Sequence, residues 1–345
     1  MQVQRINSFD ILKKISIFLV IFCHFPLLPK DSIIGNIIMM TSWLAVPCFM
    51  MVSGILVGRK EKADISWCIH KIAIVYIGIS AWHFIYLIIQ ILFFNLRYGL
   101  KDIFCSVFLF KSLEGATTDV TWYMQSYIFV MMFTPIISYL YHQGKTGKRL
   151  LFYIMSILFV QSILLPELSF WISPQFAKFG SMLPFNYFGN MLFFYIFGII
   201  CFDYKDTILC YLNRVRLSLI FVVGLVILIL TRYAQNDSFR WDGVYLENGY
   251  NRIGTIIMAF ALFALICYYE QPKWIEKISG LIGKNTLGIY YWHYLLLMLL
   301  SRYTYHYLES YRSVLLNIVK VLVLLIVSDL FTEIMKKFPL LRKIV

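Results

Sequence analysis

The sequence predicts an all-α protein, a polytopic transmembrane helical bundle of about ten spans with both termini in the cytoplasm. Of the 345 residues, 60% are hydrophobic and only 14% are charged. Apolar windows of roughly 20 residues, the length that crosses a bilayer, recur along the whole chain. The charges gather in short connectors and leave no long charged faces of the kind a soluble domain of this size carries. Residues 1–345 are therefore expected to form a single transmembrane domain.

The first span, 11–29, has Lys13 and Lys14 at its inner edge and no small-residue cleavage pattern after it, so it reads as a retained signal-anchor. Spans 37–57 and 72–95 flank a connector with Arg59, Lys60 and Lys62, and Lys71 marks the inner edge of the second. The stretch from Ile103 to Phe110 is apolar but too short to cross, which places it as an interfacial or re-entrant piece on the outer side. Spans 122–141 and 151–166 flank Lys145, Lys148 and Arg149, and spans 184–202 and 216–232 flank Lys205, Arg214 and Arg216. Spans 253–270 and 285–302 flank Lys273, Lys277 and Lys284, and the last, 314–334, runs into Lys336, Lys337, Arg342 and Lys343. With Arg5 these inner residues number twenty against ten outside, and Lys320 within the last span completes the 31. That two-to-one bias sets the orientation.

The net charge of +13 follows first from positive-inside loops facing anionic lipid. The basic residues sit in separate short loops rather than one stripe with interleaved aromatics, which excludes the pattern of a nucleic-acid binder. Seven cysteines, at 23, 48, 68, 105, 201, 210 and 267, show no metal-ligand spacing and read as packing residues, so no metal is expected. No fixed-period repeat, low-complexity tract or lipidation motif is visible.

Ionisable groups at membrane depth cost free energy and mark functional positions. His24 lies eleven residues beyond Lys13 on the first span, about three turns and roughly 16 Å away on nearly the same face. His293 lies about 13 Å above Lys284 on the ninth span, at a depth like that of His24 about 15 Å above Lys14. His83 lies about 18 Å above Lys71 on the third. Thr286, Tyr290 and His293 follow an i, i+4, i+7 pattern on a face that must point into the bundle. Interhelical hydrogen bonding explains Thr286 and Tyr290 at least as well as substrate contact. Asp329 and Glu333 share a face within reach of Lys336 or Lys337 and read as structural pairs.

Four segments carry a resemblance. Phe9-Asp-Ile-Leu-Lys-Lys-Ile-Ser-Ile-Phe-Leu-Val-Ile-Phe-Cys-His24 resembles the first helix of the acyltransferase family 3 integral membrane proteins, with its arginine, ten residues and a histidine. Val46-Pro47-Cys48-Phe49-Met50-Met51-Val52-Ser53-Gly54 resembles the second helix of that family, and Thr121-Trp122-Tyr123-Met124 its Trp-Phe-Leu segment. Ile282-Gly283-Lys284-Asn285-Thr286-Leu287-Gly288-Ile289-Tyr290-Tyr291-Trp292-His293 resembles its late Gly-Lys-Asn-Ser segment. Lys13 stands where the family has arginine, and Cys68-x-x-Lys71 where it has Arg-x-x-Arg. Lysine keeps the charge and loses the planar bidentate fork.

The resemblance implies transfer of an acyl group, usually acetyl, from cytoplasmic acyl-CoA to a hydroxyl of an envelope polysaccharide or lipid-linked glycan, in the plasma (inner) membrane. Acyl-CoA would be a substrate, with membrane lipid as the surrounding partner. His24 would act as general base or acyl carrier, and the sequence leaves both routes open. Lys13 and Lys71 would hold the CoA phosphates. His293, Tyr290, His83 and Trp122 are candidates for orienting His24 or meeting the acceptor. On the outer face Trp122, Tyr123, Arg232, Arg240, Trp241, Asp242 and Arg252 would offer aromatic and charged groups to a sugar, although interfacial anchoring also accounts for the aromatics. A glycan transporter or flippase competes with this reading, but such folds carry internal repeats and broken paired helices, and neither is seen. A third reading is a non-catalytic partner in polysaccharide assembly.

Overall fold

The computed structural model describes residues 7–24, 33–61, 63–113, 118–171, 189–236, 249–273, 275, 284–308, 314–339 and 341–345. Every regular element among them is helical. In an apolar solvent the backbone must satisfy its own hydrogen bonds, and a helix does so within one segment. In chain order the helices are α1 (Asn7–His24), α2 (Ile33–Ser42), α3 (Ala45–Ser53), α4 (Ile65–Phe94), α5 (Leu100–Leu109), α6 (Trp122–His142) and α7 (Gly144–Phe159). They continue with α8 (Leu165–Trp171), α9 (Gly189–Asp203), α10 (Lys205–Tyr211), α11 (Arg214–Asn236), α12 (Ile253–Cys267), α13 (Thr286–Leu308) and α14 (Val314–Lys336).

Five segments are long and apolar enough to cross a membrane: Ile37–Gly58, Ile65–Phe94, Gly144–Leu168, Arg214–Thr231 and Leu315–Lys336. Gly189–Asp203, Ile253–Cys267 and Thr286–Leu300 are apolar but shorter. The other two expected windows are helical as well, α1 carrying Asp10, Lys13 and Lys14 and α6 diluted by tyrosines, serines and Gln125. Residues 25–29 and 184–188 of the expected spans lie outside the described residues.

Two expected spans differ in form. The second is broken at Trp43 and Leu44 and ends in a π-helical turn, Gly54–Gly58. The third begins at Ile65 rather than 72, because Asp64 caps the helix by accepting the Trp67 N–H at 2.8 Å. Helix α5 covers the short piece expected at Ile103 to Phe110 and ends on Phe110 at φ 55°.

The π turn lies against α9 because both backbones lack side chains at the crossing. A Cβ on Gly54 would sit 2.0 Å from the Tyr195 carbonyl oxygen, and one on Gly198 would sit 2.3 Å from that of Met51. Small residues allow such approach where hydrophobic driving force between helices is weak.

Two large cores result. One gathers α3, α6, α7, α9, α11 and α12 around Met50, Phe194 and Phe263, and the other gathers α4, α13 and α14 around Trp82, Tyr86 and Tyr291. Helix α1 belongs to both, giving Phe9 and Leu12 to the first and Ile17, Ile21 and Phe22 to the second.

The lysine- and arginine-bearing helix ends meet at one end of the bundle. Arg59 after the π turn bonds Tyr141 of α6 at 2.7 Å and Asp203 of α9 at 3.3 Å, and Lys148 of α7 reaches the same carboxylate at 2.5 Å. Phe9 of α1 packs on Phe202 with ring centroids 5.5 Å apart, and Tyr268 at the end of α12 donates to the Cys201 carbonyl at 2.5 Å. At the start of α13, Asn285 donates to Asp329 at 2.7 Å and Glu333 at 2.6 Å on α14 and accepts from Lys336. The Glu333–Lys336 pair expected from spacing forms at 3.5 Å, while Asn285 rather than lysine holds Asp329 by hydrogen bond.

Candidate active site

Helix α1 places Lys13 at the basic end and His24 about three turns further along. Lys13 is 24% exposed and lies 3.6 Å from the buried carboxylate of Asp10, one turn earlier. His24 is exposed among the described residues.

The rings of His24 and His293 stand 5.5 Å apart, and Tyr294 meets His24 edge-on at 5.0 Å. His293 is 1% exposed. Its Nδ1 lies 3.1 Å from the Ile289 carbonyl, and a carbonyl can only accept, so Nδ1 carries the proton. The lone pair is then on Nε2, a buried atom without a hydrogen-bond partner among the described residues. An orphaned buried acceptor is costly, and its persistence beside an accessible imidazole is the strongest functional signal in the bundle.

Tyr290, one turn before His293, donates its hydroxyl to the Val120 carbonyl and packs edge-on to Tyr123 at 5.7 Å. The turn that receives it, Thr118–Thr121, is clamped from the other side by His83. His83 donates from Nδ1 to the Ser106 carbonyl at 2.9 Å and accepts from Thr121 Oγ1 at 2.6 Å. Both of its ring nitrogens are occupied. Trp122 packs against Tyr250 at 5.4 Å and Tyr123 at 6.4 Å, and so reaches His293 only through Tyr123 and Tyr290.

At the basic end Lys71 is exposed, with its ammonium 5.7 Å from the centre of the Trp67 ring. Lys60 approaches the same ring at 4.3 Å. Sequence reasoning missed Lys60 and Trp67. The i, i+4 spacing of Trp67 and Lys71 was visible, whereas Lys60 arrives from a separate connector.

Arg252 is a correction. Expected to face a sugar outside, it is 3% exposed and lies 3.6 Å from Glu167, whose other oxygen accepts from Thr231 at 2.6 Å. A buried guanidinium needs a carboxylate, and α8 and α11 bring one together with its own donor. Arg240, Trp241 and Asp242 lie outside the described residues, as does the side chain of Arg232.

The acyltransferase domain family matches residues 6–333. The chain belongs to this family. No curated protein and no solved structure matches it. The family match covers nearly the whole chain, from just before α1 to Glu333 on α14, and includes both histidines of the pair. The protein is thus a membrane acyltransferase.

Proposed function

We propose that the chain is an O-acyltransferase of the inner membrane, crossing it ten times with both termini in the cytoplasm, and that it moves acetyl from acyl-CoA to a hydroxyl of an envelope polysaccharide. The observation that carries this reading is the His24–His293 pair, far along α1 from the lysines. Acyl-CoA would bind at the basic end, its phosphates held by Lys60 and Lys71 beside Trp67 and by Lys13 across the bundle. The pantetheine arm would then run roughly 16 Å up α1 to His24.

The acceptor hydroxyl enters from the other end. His24 takes its proton as the oxygen attacks the thioester carbonyl, the C–S bond breaks, and the departing thiolate takes the proton back from the imidazolium. His293 is a positioning residue in this scheme. Its Nε2, without a partner among the described residues, would accept the remaining N–H of His24 as the imidazolium forms.

Purified protein given acetyl-CoA and an acceptor polysaccharide should release free CoA thiol, and His24→Ala should lose about 10²–10⁴-fold in turnover. Normal turnover in His24→Ala would sink the mechanism. With radiolabelled acetyl-CoA alone, no label should stay on the protein; retained label at His24 would mark an acyl-histidine instead.

A further inference from the structure

A cavity of about 740 Å³ opens at the basic end between α7, α9, α10 and α12, with neither histidine of the pair in its lining. Its volume lies within the roughly 300–1,000 Å³ of small-molecule sites. Leu151, Met155, Phe197, Ile200 and Phe260 form apolar walls. Phe152, Tyr153 and Tyr204 line it while remaining exposed on the outside of the bundle, so the opening is lateral.

The polar groups lie at one rim. Lys148 and Arg149 supply two cations against the single carboxylate of Asp203. That carboxylate is already held by Lys148 at 2.5 Å and by Arg59 at 3.3 Å, whereas Arg149 is exposed and has no ion-pair partner among the described residues. A lateral slot with a dry floor and a cationic rim fits an amphiphile with an anionic head and a hydrocarbon tail. Basic pockets between helices at the membrane face bind lipid head groups on the same grounds.

We propose that this cavity is a binding site for an anionic phospholipid, its phosphate on Arg149 and Lys148 and one acyl chain between α7 and α12 against α9. The leaflet follows from the orientation proposed above, whereas the slot and its charge do not depend on it.

The test is native mass spectrometry of the purified full chain with equal amounts of phosphatidylglycerol and phosphatidylcholine in mixed micelles. Wild type should retain one phosphatidylglycerol with about tenfold preference. Arg149→Gln should bring retention of the two lipids close to equal. Ser156→Trp, which fills the slot from its wall and leaves both cations in place, should abolish retention of both. Equal retention by wild type overturns the proposal, and so does unchanged retention in Ser156→Trp. If that variant does not fold, as read by thermal unfolding, the wild-type competition decides alone.

Discussion

His293→Asn isolates the function of one atom. The asparagine amide can still donate to the Ile289 carbonyl, 3.1 Å from the present donor, so the local helix contact survives while the Nε2 lone pair is lost. If that lone pair accepts from His24 as the imidazolium forms, its removal costs one charge-assisted hydrogen bond, about 1.5–3 kcal/mol. At about 1.4 kcal/mol per tenfold, kcat should fall about 10- to 150-fold. The KM for acetyl-CoA should not change, because Nε2 lies far from the basic end. Free-thiol release during steady-state turnover measures both constants. The double variant His24→Ala/His293→Asn should be no slower than His24→Ala alone, since a residue acting through another has no separate effect once that other is gone. Wild-type kcat in His293→Asn, or additive losses in the double variant, would refute the coupling.

Other expectations concern the supports and the donor end. His83→Ala removes two buried hydrogen bonds and should lower stability by about 2–4 kcal/mol, read as a drop in thermal unfolding temperature in detergent; an unchanged temperature would remove the clamp role. Asn285→Ala separates Asp329 from its hydrogen-bond donor and should cost about 1.5–3 kcal/mol in the same measurement, with Glu333 partly compensated by Lys336. Lys60→Ala and Lys71→Ala should each raise the KM for acetyl-CoA about 3- to 10-fold, an effect that shrinks with added salt, with kcat unchanged. Lys13→Arg should keep donor affinity and Lys13→Ala should weaken it; unchanged affinity in Lys13→Ala would put the donor path elsewhere.

The helical windows were legible because a membrane demands about 20 apolar residues per crossing and pushes charge into connectors. The π turn at Gly54 was not, since it depends on what α9 presents across the interface. Height along a helix was readable too: counting from the lysines put His24 and His293 at like depth. Their contact was not readable, because spacing gives height and says nothing of which helices are neighbours. His83 shows the limit of the same arithmetic. Its depth made it a candidate, yet α5 and the turn before α6 occupy both of its nitrogens. Arg252 failed for a related reason, its partner Glu167 being 85 residues away in sequence.

One histidine of the pair is exposed and the other buried, the first on helix α1, which packs into both cores, and the second on its neighbour α13. The first half of α1 packs into one core through Phe9 and Leu12, its second half into the other through Ile17, Ile21 and Phe22. A helix shared by two cores runs along the seam between them, and His24 lies on the half that packs into the second. His293 sits within the second core, with Tyr290 beside it tied to Val120, so its ring is held while the ring of His24 can meet a substrate. Catalysis needs both properties, a reactive group open to substrate and a partner that does not move. An α1 displaced toward either core would cover His24 or separate it from His293, so the two-core packing of this helix bears on rate as well as on stability.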